Sequence, residues 1–119
     1  MNWYLAKIVF RIICGDGDHT AQFDEQLRLV SGHSKEEAFR KALELGQAGE
    51  ERFMNQKQQI VQWQFINVAE LYQLGEMLEG AELFSRIEER EPASVYIETI
   101  HKKAENIFFT QTHQLLHLA

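Results

Sequence analysis

Two histidines near the end of the chain have the spacing of metal ligands. His113 and His117 are four residues apart, so on a helix both rings would face the same way and could bind one metal ion. The residues between them are Gln114, Leu115 and Leu116, which lack the acid that a helical zinc-protease motif carries. Surface histidines explain the pair as well, so we predict no metal site and no cofactor, with metal binding by this pair as the alternative.

Cys14 is the single cysteine of the chain, which excludes an internal disulfide and favours a reducing, cytoplasmic location. It could act as a nucleophile beside a histidine, but its place on the apolar side of a predicted strand is typical of a small core residue. Asp16-Gly17-Asp18 is similar to the start of a calcium loop, yet positions 26–28 lack the glutamate that closes such a loop. We predict a turn there.

No sequence pattern predicts an enzyme. Phosphate-binding, dinucleotide-binding and nucleophile-elbow motifs are absent, and the adjacent glutamates at 36–37, 50–51 and 88–89 are interpreted as solvated. An enzyme would need a site assembled from dispersed residues such as Arg11, His19, Glu25 and His33. That hypothesis requires a cleft of clustered titratable groups with shifted pKa values.

The first strand offers a better candidate for a binding surface. Residues 3–14 alternate in polarity with a period of two, which predicts a strand at or near the centre of a sheet with one apolar face in the core. The other face carries Trp3, Lys7, Val9 and Arg11. Either the long basic stems lie on apolar surface with their charges in water, or this face binds a partner or an acidic ligand.

The rest of the chain predicts a small α+β domain. A turn at 15–18 leads to a second antiparallel strand at 20–30, with Phe23, Leu27 and Leu29 on one face and a polar face that is wet. A helix begins at Ser34 with a capping box and ends between 46 and 54, burying a stripe that includes Ala38, Ala42, Gly46 and Phe53.

Two further strands and a last helix complete the prediction. The strands are expected at 59–69, with Val61, Trp63 and Phe65 on one face, and at 81–87, separated by a short helical turn or loop. The inner face of 81–87 is either Leu83, Ser85 and Ile87 or Phe84 with its neighbours. The helix is expected over 93–118.

We therefore predict a four-stranded, mainly antiparallel sheet in the order β-β-α-β-β, with one helix on its face and a long C-terminal helix. The sheet domain would span 1–90, and the helix at 91–119 would pack on it or on a second subunit. Because that helix is longer than one sheet requires, we expect a homodimer through its apolar stripe. The stripe consists of Ile97, Ile100, Ala104, Ile107, Phe108, Gln111 and Leu115.

Composition limits the partners. Twelve basic against eighteen acidic residues give a net charge of −6, which disfavours nucleic acid, and no apolar run is long enough to span a membrane. We predict a small cytoplasmic protein-interaction module with an unknown protein partner. An immunity-type protein that binds a toxin is a further alternative that suits the acidic charge.

Four segments together resemble a known family. WYLAKIVFRI, SKEEAFRKALELG, VQWQFINVAELYQL and EGAELFSRIEER, in this order, resemble a small bacterial family catalogued as a domain of unknown function, over about residues 3–90. The resemblance implies a recurring compact domain. Because the family carries no assigned activity, it implies no roles for individual residues.

Overall fold

The computed structural model describes residues 1–109, which form six regular elements. The elements are β1 (Asn2–Cys14), β2 (Gln22–Gly32), α1 (Lys35–Ala48), β3 (Glu51–Met54), β4 (Ile60–Gln73) and α2 (Ala93–Asn106). The four strands make one antiparallel sheet in the spatial order β2-β1-β4-β3, with β1 and β4 in the centre. The α+β class, the antiparallel sheet and the β-β-α-β-β order are confirmed.

The described residues divide into two compact units, Met1–Ser85 and the segment that begins at Arg86. In the first, α1 packs on the sheet over the even-numbered residues of β1. Tyr4, Ala6, Ile8 and Phe10 are all buried, as the alternation predicted. The core between the layers contains Tyr4, Ala6, Val30, Ala38 and Ala42, with Leu45, Val68 and Leu71 against it.

Local chemistry sets the limits of α1. Ser34 is the N-cap, and its Oγ accepts a hydrogen bond from the Glu37 backbone N–H at 3.1 Å. Glu37 Oε2 in turn accepts the backbone N–H of His33 at 3.1 Å, one residue before the usual capping-box position. The helix ends at Ala48, inside the predicted window.

Small residues let α1 lie close to the sheet. Its buried residues are Ala38, Ala42 and Gly46, and a Cβ at position 46 would overlap three ring carbons of Phe65, the farthest of which, Cζ, lies at 2.7 Å. Glycine at 46 is therefore required by packing. The prediction that Phe53 belongs to this helical stripe is wrong, because Phe53 lies on β3 and stacks on the Trp63 ring at 6.0 Å between centroids.

The hairpin of β3 and β4 is the main correction to the predicted sheet. Its turn is held by Asn55, whose Oδ1 accepts the backbone N–H groups of Lys57 and Gln59 at 2.9 and 3.0 Å. Strand β4 is longer than predicted and extends through Gln73, where a helical turn or loop was expected to begin at 70. It has two register irregularities against β1.

The predicted strand at 81–87 is wrong. These residues have no regular secondary structure, and the fourth strand of the sheet is β3 instead. Neither proposed inner face is buried: Ile87 is 97% exposed, and the Phe84 ring contacts Tyr72 at 5.0 Å between centroids while remaining partly exposed.

The second unit contains α2 and the charged segment before it. Glu88 forms ion pairs with Arg86 and Arg90, and the Arg90 guanidinium lies 5.8 Å from the centre of the Tyr96 ring. The predicted long helix is wrong, because α2 ends at Asn106.

Turn-type bonds follow the end of α2, with Ile107 N–H donating to the Ala104 carbonyl and Phe109 N–H to that of Asn106. Asparagine and β-branched or aromatic residues are weak helix formers, and Phe108 is almost fully exposed. Ile107 and Phe108 therefore lie beyond the helix. Gln111 and Leu115 lie outside the described residues, as do His113 and His117.

Candidate functional site

The side of the sheet opposite α1 is the candidate site, and we call it the open face. It carries the odd-numbered side chains of β1, because α1 covers the even-numbered ones. Strand register adds residues from both neighbours of β1. The open face consists of Trp3, Leu5, Lys7, Val9, Arg11 and Ile13 from β1, Phe23, Glu25, Leu27 and Leu29 from β2, and Gln64, Asn67, Glu70 and Tyr72 from β4.

An ion-pair cluster occupies the middle of the open face. Lys7 Nζ lies 3.2 Å from Glu25 Oε1 on β2 and 2.7 Å from Glu70 Oε2 on β4. Its hydrogen bonds to Glu70, and then to Glu25, raise the pKa of Lys7 above its ordinary value of 10.5. Because the ammonium is stabilised in its charged form, Lys7 is not a nucleophile or a general base at neutral pH. It joins the three strands electrostatically.

Arg11 is the second cation of the open face, and its environment is different. Its Nε is buried and has no hydrogen-bond partner among residues 1–109. The residues opposite it in the sheet are Phe23 and Gln64, and neither supplies a negative charge. A buried donor without an acceptor is costly, so this guanidinium is a position where a carboxylate from elsewhere would bind favourably.

The apolar side of β2 also lies on the open face. Phe23, Leu27 and Leu29 are between 48% and 59% exposed, although the sequence predicted that the polar side of β2 would face water. Instead Asp24, Gln26 and Arg28 share the α1 side of the sheet.

A polar row holds these three β2 residues in place. Gln26 Nε2 donates to Asp24 Oδ2 at 2.7 Å, and Arg28 donates to Gln26 Oε1 at 3.0 Å. The Trp63 indole N–H also donates to Asp24 Oδ2 at 3.2 Å. The register with β1 therefore overrides the polarity of β2, and large apolar side chains are left exposed on the open face.

The structure places the four predicted face residues, Trp3, Lys7, Val9 and Arg11, in one row along β1. The alternative enzyme set does not form one cluster. Arg11 and Glu25 share the open face, whereas His19 and His33 flank opposite ends of β2, an eleven-residue strand of about 35 Å.

His19 has a structural role in the first hairpin. Its Nε2 accepts the Cys14 backbone N–H at 3.0 Å, and its Nδ1 lies 2.9 Å from the Thr20 carbonyl oxygen. The ring therefore bonds the backbone of Cys14. Asp16 forms the predicted turn, since its Oδ1 accepts the Asp18 backbone N–H at 3.0 Å. Residues 1–109 contain no group of three or more side chains arranged to hold a metal ion.

A groove of about 430 Å³ lies between α1 and β4. Its lining residues include the charged Lys35 and Glu36 and the apolar Phe39 and Leu71; Glu70 also lines it, although its carboxylate bonds to Lys7 on the open face. None of the lining residues is a serine, cysteine or histidine, so the groove lacks a nucleophile and base pair of the usual kind.

Sequence reasoning missed Glu70, Tyr72 and the apolar side chains of β2. Glu70 and Tyr72 were interpreted as part of a turn or loop. The signal that could have placed Glu25 is Lys7, a cation on a half-apolar strand that requires a neighbouring acid.

Comparison with known proteins gives a family but no activity. A family model described as a domain of unknown function, DUF4288, matches residues 3–85, over two-thirds of the chain, and its match ends where the first compact unit ends. No curated protein and no solved structure shows significant similarity to the chain. No helix within residues 1–109 is long and apolar enough to span a membrane. The chain belongs to the DUF4288 family of domains of unknown function.

Proposed function

We propose that residues 1–85 are a non-enzymatic protein-interaction module that binds a partner protein through the open face. The observation that carries the proposal is Arg11, whose buried Nε has no acceptor among residues 1–109, in a row of partly exposed apolar side chains. A partner that covers this row would bury apolar area and can place a carboxylate against the same guanidinium.

The chemistry of the face defines the partner. The charge of Lys7 is already met by two glutamates, so that cation contributes little new attraction. The guanidinium of Arg11 can bind a carboxylate in a two-point, planar arrangement. We expect an apolar partner segment that carries an aspartate or glutamate positioned to reach Arg11.

The sequence also led to predictions of location, oligomeric state, toxin binding and catalysis. A cytoplasmic location suits the single, unpaired Cys14. A homodimer through α2 stays a prediction, supported by the exposure of Ile97 and Ile100. Binding of a toxin stays a prediction based on net charge. Catalysis by the dispersed set lacks support within residues 1–109, because His19 and His33 flank opposite ends of β2.

Comparative affinity capture from extracts of the native cell tests the proposal. Wild-type protein, Arg11→Glu and Arg52→Glu would be used in parallel. Arg52 lies on β3, so Arg52→Glu makes the same charge change away from the β1 row. We expect a protein that is retained by wild type and Arg52→Glu and lost with Arg11→Glu. Equal recovery with all three, or no protein recovered by wild type, would contradict the proposal.

A further inference from the structure

Strand β2 forms a long outer edge of the sheet. It has eleven residues, pairs with β1 without any register irregularity, and contains no proline. No strand among residues 1–109 pairs with its outer side. The other edge consists of β3, which pairs only with Ile60–Trp63, and of the remainder of β4, which has two register irregularities and bonds the Phe65 and Val68 N–H groups to side chains. A long, regular edge with apolar side chains is a template for another strand.

The side chains of β2 indicate which strand fits that edge. If a second copy pairs antiparallel about a two-fold axis, residues opposite each other must lie on the same face, so the axis passes through one residue. An axis through Glu25 or through Arg28 places like charges opposite each other. An axis through Leu27 places Glu25 opposite Leu29 and Asp24 opposite Val30, so that neither acid meets a base.

An axis through Gln26 leaves Glu25 opposite Leu27 but gives complementary pairs at the positions around them. Asp24 then lies opposite Arg28 of the second copy, and Phe23 lies opposite Leu29 of the second copy, each pair occurring twice. Gln26 lies opposite itself, where two amides can bond to each other. Opposite charges and large apolar pairs are the cross-strand combinations that stabilise sheets.

The side-chain hydrogen bonds along β2 are compatible with this arrangement. The row from Arg28 to Gln26 to Asp24 lies on one side of β2. Both bonds that Asp24 accepts use Oδ2, and the Arg28 guanidinium has further donors beyond the one given to Gln26. The edge can therefore accept its own copy without breaking the bonds that hold its side chains.

We propose that two copies of this chain associate through their β2 edges, antiparallel and centred on Gln26. Two four-stranded sheets then form one continuous eight-stranded sheet. The overlap of residues 22–30 provides roughly eight to ten backbone hydrogen bonds. Both α1 helices lie on one side and both open faces on the other, so the dimer presents two copies of the binding face together. This dimer is independent of the proposed function and of α2.

Opposite charges at position 26 test the two-fold pairing. Gln26→Lys keeps a donor for Asp24, and Gln26→Glu keeps an acceptor for Arg28, so each variant retains one neighbour within its own strand. Light scattering coupled to gel filtration, at high micromolar concentration, would give the mass of each sample. We expect two chains for wild type and at least about a tenfold weaker association for each variant alone, because like charges meet at the axis.

The decisive sample is an equimolar mixture of the two variants. The introduced lysine of one chain and the introduced glutamate of the other then meet at the axis, and we expect association to be restored. Arg52→Glu on β3 is the matched control and should remain dimeric. A single-chain mass for wild type would overturn the proposal. So would single variants that stay fully dimeric, or dissociation caused by charges at Ile97 and Ile100 on α2.

A cross-linking measurement gives a second test. Gln26→Cys in a Cys14→Ser background places one thiol at the two-fold axis, and the directly opposed Cβ atoms are near disulfide distance. We expect rapid formation of a covalent dimer under mild oxidation, compared with slow formation by Arg52→Cys in the same background. Equal rates for the two variants would overturn the proposed register.

Discussion

Gly46 offers a sharp test of how α1 packs on the sheet. In an isolated helix, replacing an interior glycine with alanine stabilises by about 1 kcal/mol. At position 46 the added Cβ would overlap the Phe65 ring, with even the Cζ atom at 2.7 Å, well inside the roughly 3.5–4.0 Å at which carbon atoms pack. Relieving that overlap requires the ring to shift by roughly 1 Å.

The ring cannot shift without disturbing the core. Phe65 packs on Phe10 at 5.9 Å between ring centroids, and Phe10 is fully buried. Forcing an extra methyl group into a packed core costs about 1–3 kcal/mol, and we expect the upper part of that range here. After the gain in helix propensity, Gly46→Ala should lower the free energy of unfolding by about 1–2 kcal/mol.

Urea denaturation followed by circular dichroism measures this change at constant slope. Gly75→Ala is the control, because a Cβ at position 75 meets no atom within 4 Å; its effect should stay within about 0.5 kcal/mol. In the double variant Gly46→Ala with Phe65→Leu, the loss should be smaller than the sum of the single losses. An increase in stability of about 1 kcal/mol for Gly46→Ala would refute the packing of α1 described here.

Three further predictions concern charges and a turn. The hydrogen bond from the His33 N–H lowers the pKa of Glu37. This bond therefore stabilises the folded state above the unfolded pKa of about 4.5, and the stabilisation is lost as pH falls through the folded pKa. Glu37→Gln should flatten the dependence of the free energy of unfolding on pH in that window, and an unchanged profile would contradict this. The ion pairs that raise the pKa of Lys7 stabilise the folded state below the unfolded pKa of 10.5, and this stabilisation is lost as pH rises through the folded pKa. In melting curves recorded between roughly pH 9 and 12, Lys7→Met should therefore lose less stability with rising pH than wild type. Gln58 has φ +63°, so Gln58→Gly should raise stability by about 0.5–1 kcal/mol, and a decrease in the urea midpoint would argue against the left-handed turn.

Local signals in the sequence predicted the parts of the fold that local chemistry determines. The period-two pattern of β1 and the N-cap at Ser34 depend on neighbours in the chain, and both appear as predicted. Strand β3 was not predicted, because it has only four residues and depends on two features that act across the hairpin. These are the turn bonds of Asn55 and the stacking of Phe53 on Trp63.

The open face was predicted only in part, because strand register decides it. The row on β1 follows from alternation alone, so Lys7 and Arg11 were placed together correctly. The sequence predicted that the apolar side of β2 would face the core. It faces away from α1 instead, and the pattern of β2 alone does not reveal this, because the pairing with β1 decides which side of β2 is covered. Leu27 lies opposite Lys7, and that pairing is a long-range property.

The affinity of the captured partner for the open face tests the central claim most directly. Isothermal titration calorimetry would compare wild type with Arg11→Gln and with Arg52→Gln, the matched change on β3. A charged hydrogen bond contributes about 1.5–3 kcal/mol, so we predict that Arg11→Gln weakens binding by about tenfold to a hundredfold while Arg52→Gln leaves it unchanged. Equal affinities for wild type and Arg11→Gln would contradict the claim that this face binds the partner through Arg11.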